Sequence, residues 1–510
     1  MDKFGGTKTA RTVAVMMSIT VVGKLMGLLR DSMQAGYLGG DTTEATAFIH
    51  ASFLPRLLLD VMFAAAFSAS FIPVFSSYLE LKGKKAAFDL AALFISVVAV
   101  LTAGVTVVAV IFAQPIFVIS LGEAGLPYGT VELGTTLLRY MLPLMIFSGL
   151  AFSFTGILQS LGEFRLPAAM SIVSNGIIIV YYFFFIDRFG VYGLTVAFLL
   201  GWGMQAVIQV PFLIKHKFRF RFRFDLKDEG LRQIGKLALP VLVSSWVLPI
   251  NIMVNARAVD GSSVTALHFA NTLFMIISGV FILSVSNVIF PKLSRQVANK
   301  DDAGFKATLS ETVRVVFFIL IPLSLGLMAL SRPLIDLIFG WGFFNEGSVE
   351  VAGTALFYFS IGIVGFGLFT VLSRACYARF DGKTPTIAAI VAIAVNAVLS
   401  FALAPHLQVA GVALAGAIAQ TVGAGVLVIA LTKKSVLVWE KATLLGLVKV
   451  VFAAICMFAV VLFVRNYFAE ANVLLKVTVS GVVGVVLYFG LALVVGVREM
   501  DWVKGVLRRK

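Results

Sequence analysis

Negative charge is what this chain lacks most. Its 510 residues hold 26 Asp and Glu against 41 Lys and Arg, and only 13% of them are charged. Soluble domains carry about 25% charged residues, whereas 60% of this chain is hydrophobic, so a soluble globular protein is excluded. Histidine and cysteine are scarce. The four histidines, His50, His216, His268 and His406, do not cluster with Cys or acids at metal-ligand spacing. No metal and no cofactor is expected. The two cysteines, Cys376 and Cys456, lie in or near apolar stretches and indicate no disulfide framework. There is no P-loop, which argues against ATP as the direct energy source, and no G-x-S-x-G elbow. These absences shift the balance from enzyme to carrier. The first apolar stretch has no A-x-A-like cleavage site and contains Lys24 and Arg30, so it reads as an uncleaved span rather than a signal peptide.

What is present is a succession of apolar stretches. A span needs about 20 mostly apolar residues. Candidate spans begin near residues 11, 45, 87, 132, 167, 190, 236, 263, 312, 349, 385, 409, 443 and 473. The expected fold is an all-α polytopic membrane protein of about 14 transmembrane helices. The 45–78 stretch exceeds one span and should tilt or project. Basic residues collect in alternate loops. One set runs through Lys3, Lys8 and Arg11; Lys82, Lys84 and Lys85; Arg165; Lys215 to Lys236; Lys292 to Arg314; Arg379 and Lys383; Lys433, Lys434 and Lys441; and Arg498 to Lys510. The opposite loops hold little beyond Arg188, Arg332 and Arg465. The positive-inside rule places the rich set, and with it both termini, in the cytoplasm. The net charge then requires no nucleic-acid partner.

An internal repeat organises the chain. Phe71-Ile72-Pro73 closes the second span and Ile289-Phe290-Pro291 the eighth. Glu163-Phe164-Arg165-Leu166-Pro167 joins spans four and five, and Asp381-Gly382-Lys383-Thr384-Pro385 joins ten and eleven. Pro73 to Pro291 is the same distance along the chain as Pro167 to Pro385. An even number of spans separates the copies, so the repeats are parallel, as in one class of transporter. The expected organisation is an N-lobe (1–214, spans 1–6), a basic linker (215–230), a C-lobe (231–431, spans 7–12), and two further helices with a cytoplasmic tail (432–510). The linker alternates bases and aromatics from Lys215 to Phe224. That alternation suits either a topology anchor with interfacial phenylalanines or a contact with anionic lipid headgroups.

The chemistry-bearing residues are cations inside apolar helices. Such a residue costs about 2.5–3.5 kcal/mol on insertion scales and usually faces a watery cavity. Lys24 and Arg30 lie six residues apart, about 120° around an ideal helix. Gly23 and Gly27 beside them have close-packing spacing. Asp31 is placed to neutralise Arg30, unless Arg30–Asp31 marks the outer interface with snorkelling side chains. Arg56 follows Pro55 and suits phosphate through its paired N–H groups; the alternative is a salt bridge to Asp60. In the second lobe Arg257, with Asp260 nearby, and Asn251, His268 and Asn271 are polar candidates. Arg374 reads as an interface anchor. Arg139, with Glu132 as a candidate partner, is a further cavity candidate.

Together with Gly27-Leu28-Leu29-Arg30-Asp31, Leu54-Pro55 and Ala66–Pro73, the runs Phe339-Gly340-Trp341-Gly342-Phe343-Phe344 and Tyr377–Pro385 make the chain resemble the MurJ/MviN family of lipid II flippases, within the MOP exporter superfamily. The resemblance implies a transporter, not an enzyme, of the bacterial inner membrane. It would move the undecaprenyl-pyrophosphate-linked peptidoglycan precursor between leaflets by alternating access, for cell-wall biogenesis and cell shape. Membrane potential or an ion gradient would drive it. Lipid II, membrane lipids and cell-wall synthesis enzymes are the partners to consider. The substrate-binding candidates are Lys24, Arg30, Arg56 and Arg257, with Asp31, Glu44 and Asn271 as gating or auxiliary residues. Two arginine positions of the family fall at Leu59 and near Thr272, where Arg56 and Arg257 are the candidate replacements. The alternatives are a MOP-type exporter of another lipid-linked glycan, of O-antigen or teichoic-acid type, a membrane-embedded glycosyl- or acyltransferase, and a scaffold for cell-wall enzymes.

Overall fold

The computed structural model describes residues 3–56, 67–121, 126, 128–163, 165–245, 247–259, 261–437 and 441–500. Leu59, Asp60 and Asp260 lie outside these residues. The described chain is helical, with no strand among the described residues. Nine of its helices are long and apolar enough to cross a membrane, or ten if one bent pair counts as a single span. The chain divides into two compact units, Met1–Arg257 and Ala258–Lys510.

The first unit contains α1 (Lys3–Leu38), α2 (Thr43–Arg56), a π-helical turn (Phe67–Phe71), α3 (Ile72–Leu81), α4 (Gly83–Ile111), α5 (Ala113–Leu121), α6 (Thr130–Met141), α7 (Leu144–Ser160), α8 (Arg165–Phe184), α9 (Ile186–Val207), α10 (Val210–Lys215), α11 (Glu229–Ser245) and α12 (Val247–Ala258). Helix α1 packs on α8, α8 on α9, α2 on α6, and α4 on α7. A Cβ at Gly23 would run into the Ser171 hydroxyl of α8, and one at Gly27 would just touch Asn175. The small-residue spacing of α1 is therefore the seat of α8. An aromatic core forms where Phe71 stacks on Phe94 (centroids 4.5 Å apart) and on Phe75 (5.3 Å). Gly156 leaves room for it, since a Cβ there would lie 2.8 Å from the Phe71 ring. Helix α11 packs on the π-helical turn, α3 and α4. The first compact unit therefore includes α11 and α12.

The second unit contains α13 (Gly261–Ala298), α14 (Asp302–Phe339), α15 (Glu346–Ile361), α16 (Ile363–Ala378), α17 (Lys383–Lys433), α18 (Lys441–Tyr467) and α19 (Val473–Val494). Helix α14 packs on α15, α16 and α18, and the two C-terminal helices pack on each other and on α14. It begins well before the expected 312, because Asp301 caps it by accepting from the Gly304 N–H (2.8 Å) and its polar first turns precede the apolar run. The Phe339–Phe344 run folds back at α14's end, and Phe339 and Phe344 close on Phe269 with centroids 5.0 and 5.6 Å away.

The repeat is written into the backbone as well as the sequence. Glu163 N–H donates to Leu158 O (2.9 Å), and Asp381 N–H donates to Cys376 O (3.0 Å) at the matching position. The left-handed residues of these turns are Gly162 (φ 85°) and Phe380 (φ 59°). The kink at Gly190 (φ 53°) recurs at Gln408 (φ 48°), where the span expected at 409 begins inside α17. Lys217 (φ 65°) recurs as Ser435 (φ 53°). Matching side chains also meet: His216 lies 3.7 Å from Glu163 in the first unit, where Lys434 pairs with Asp381 (2.6 Å) in the second.

Within each unit the basic-rich loops meet one another. Arg223 pairs with Asp89 (3.6 Å), Arg379 with Asp302 (3.5 Å), and Arg314 with Glu499 (3.3 Å). The sparse set behaves likewise, with Arg332 on Glu350 (2.7 Å) and Arg465 donating to Ala329 O (2.8 Å).

Candidate substrate site

Arg30 is buried in α1 and cannot stand there alone. Its Nε and Nη2 donate to Asp31 Oδ1 at 3.0 and 2.6 Å, and its Nη1 donates to Asn175 Oδ1 at 2.9 Å. Asn175 also donates to Gly23 O (3.3 Å), tying the triad to the α1–α8 contact. Arg30 and Asp31 are each 6% exposed, so a snorkelling interfacial pair is not what forms. The burial follows from packing: the polar edge of α1 lies beneath α8 rather than reaching out.

The guanidinium of Arg30 also lies over Phe198 of α9, 5.7 Å from the ring centroid. Phe198 stacks on Trp202, one turn along, at 5.6 Å and 11°. Arg56, the last residue of α2, lies over Trp202 at 5.5 Å. An aromatic ladder on α9 therefore brings Arg30 and Arg56 together, each cation gaining about 0.5–2 kcal/mol from its ring. Phe48 of α2 braces the ladder edge-on to Phe198 (5.1 Å). Asn175, Phe198 and Trp202 escaped the sequence reading. The i, i+4 aromatic spacing on α9 was the available signal.

Lys24 is exposed on α1, on a different side from buried Arg30, as the six-residue separation predicts. Glu44 is exposed in the first turn of α2, where a carboxylate favours the helix dipole. Arg257 is exposed in the last turn of α12. Asn271 and Thr272 are half-buried in α13 of the second unit. His268 packs against Phe269 (5.6 Å), and Arg374 lies over Phe290 (5.4 Å). Arg139 and Glu132 sit at opposite ends of α6 and form no ion pair. Among the described residues no cluster of His, Cys, Asp and Glu could hold a metal.

The chemistry available is anion binding. The Arg30–Asp31 pair is internally neutral, Lys24 is exposed and Arg56 is half-buried. An anion reaches the Arg30 guanidinium only by displacing Asp31 from it.

Several known proteins are similar to this chain. A probable lipid II flippase MurJ of Vibrio cholerae is 29% identical over 413 residues, covering 79% of this chain and 78% of its own. A probable lipid II flippase MurJ of Rhizobium tropici is 25% identical and covers 96% of this chain and 95% of its own. Among solved structures, a lipid II flippase MurJ in an inward closed conformation superposes with a TM-score of 0.81 at 23% identity, over 96% of this chain and 100% of that one. An inward-facing MATE multidrug transporter of the MOP superfamily reaches 0.70 at 17% identity, over 83% of this chain and 98% of that one. These two likenesses establish the fold. The family profile of lipid II flippase MurJ matches residues 35–481; the chain belongs to that family of transporters.

Proposed function

We propose that this protein flips lipid II from the inner to the outer leaflet of the bacterial cytoplasmic membrane by alternating access. The observation that carries the reading is the family match over residues 35–481. The cation-bearing helices of the first unit support it chemically. In this reading the pyrophosphate meets Lys24 and Arg56, then competes with Asp31 for Arg30. Arg257 is a further cation of the first unit in this reading, Asn271 is a polar candidate of the second unit considered by itself, and Glu44 and Asp31 modulate the first unit's cations. The undecaprenyl tail stays in the bilayer. Both termini are cytoplasmic, in keeping with the alternation of basic loops. Membrane potential or an ion gradient supplies the drive, each charge moved across 100 mV being worth about 2.3 kcal/mol.

A second reading is favoured by Leu59 and Thr272, which are uncharged where the resemblance implies arginines. It is the export of a different lipid-linked glycan. Expression of the wild-type chain in a conditional flippase-depleted bacterium separates the two. Restored growth with lipid II accessible in the outer leaflet supports lipid II as the substrate. Full expression with inner-leaflet lipid II still accumulating sinks it in favour of the second reading.

A further inference from the structure

A cavity of about 940 Å³ lies beneath the linker of the first unit, away from the Arg30 ladder. Its walls are Ile95 of α4, Leu150 and Phe154 of α7, and Val210, Leu213 and Ile214 of α10. Pockets of about 300–1,000 Å³ bury most of a small ligand, and this wall is nearly all hydrocarbon. Lys217 and Arg219 stand at its rim, both exposed, and no acid lines it. Nearby, Arg223 pairs with Asp89, and His216 Nε2 lies 3.7 Å from a Glu163 carboxylate oxygen. Neither Lys217 nor Arg219 has an ion-pair partner among the described residues.

The turn does not require these cations. Lys217 N–H donates to Ile214 O (2.8 Å) and Phe218 N–H to Leu213 O (3.0 Å). In the second unit Ser435 and Val436 make the same bonds, to Thr432 O and Leu431 O, at 2.9 Å each. There Leu437, only 2% exposed, holds the position of Arg219. Lys217 also occupies a left-handed backbone (φ 65°) that glycine fits best. The first copy thus places two cations over an apolar hole, at positions where the second copy has a serine and a buried leucine. Exposed Ile214 and Phe220 flank them, giving the mixed apolar and basic rim of a membrane-interface segment.

We propose that this cavity takes one acyl chain of an anionic phospholipid, with its phosphate held by Lys217 and Arg219. The site is separate from the substrate cations and does not depend on lipid II being the cargo.

The test is photo-crosslinking of the full-length protein in phosphatidylcholine nanodiscs, using phosphatidylglycerol or phosphatidylcholine that carries a mid-chain diazirine. The phosphatidylglycerol probe should mark Ile95, Phe154 and the 210–220 segment about tenfold more than the phosphatidylcholine probe. Lys217→Gly with Arg219→Gln should reduce that labelling to the phosphatidylcholine level. The glycine relieves the left-handed strain, so an unchanged melting temperature is expected. Leu150→Trp, which fills the cavity and keeps both cations, should also reduce labelling. Equal labelling by the two probes overturns the proposal, as does undiminished labelling of the charge variant. Displacement of the probe by undecaprenyl phosphate but not by unlabelled phosphatidylglycerol overturns it too, by assigning the cavity to the substrate's own tail.

Discussion

Arg30 and Asp31 show how a single pair can be both a structural necessity and a reserve of charge. Removing one buried partner strands the other, at about 3–5 kcal/mol. Arg30→Ala should therefore lower the melting temperature of the purified protein markedly. Arg30→Leu with Asp31→Leu should recover most of that stability while leaving transport defective. Recovery of transport in the double variant would reduce the pair to packing alone. Lys24 is the converse case. It is exposed, so Lys24→Ala should change stability by no more than about 0.5 kcal/mol yet lower outer-leaflet lipid II. Lys24, Arg30 and Arg56 were legible because a cation in an apolar run is conspicuous. Asn175 was not: it is 145 residues from Arg30 in sequence, and nothing in an apolar helix announces which distant guanidinium its amide meets. Phe198 and Trp202 were hidden by their ordinariness among the 46 phenylalanines and 5 tryptophans.

Contacts between helices carry the next set of expectations. Gly23→Ala drives a methyl into Ser171 and should cost about 1–3 kcal/mol by overpacking. Gly27→Ala meets its nearest neighbour at 3.5 Å and should be tolerated; thermal unfolding of the two variants side by side checks the contrast. At the α16–α17 turn, hydrogen bonds from Lys434, then from the Thr384 side chain and backbone, hold the Asp381 carboxyl well below its ordinary value. A depressed carboxylate contributes stability above its unfolded value of about 3.9 and loses it as pH falls through the folded value. Lys434→Ala should thus cost about 0.5–1 kcal/mol at neutral pH, with the gap to wild type narrowing below about pH 4. A gap that is constant with pH would contradict this origin. Helix starts and the repeated loops could be read from apolar runs and proline spacing. The recurring left-handed positions could not, because Phe380, Gln408, Lys217 and Ser435 are not residues that signal such a backbone.

Across the whole molecule, the sequence repeat returns as repeated turns and kinks. The seat of α11 on the π-helical turn, α3 and α4 was not legible, because composition changes at the linker without announcing which helices meet across it. If cations set in apolar helices move an anionic lipid headgroup, their removal should stop transport. The flippase-depleted bacterium carrying Lys24→Ala or Arg56→Ala, scored for lipid II in the outer leaflet beside Lys84→Ala and Lys85→Ala at equal expression, measures this. The wild type and both surface-lysine variants should restore outer-leaflet lipid II, and Lys24→Ala and Arg56→Ala should not. Full restoration by both Lys24→Ala and Arg56→Ala would contradict it.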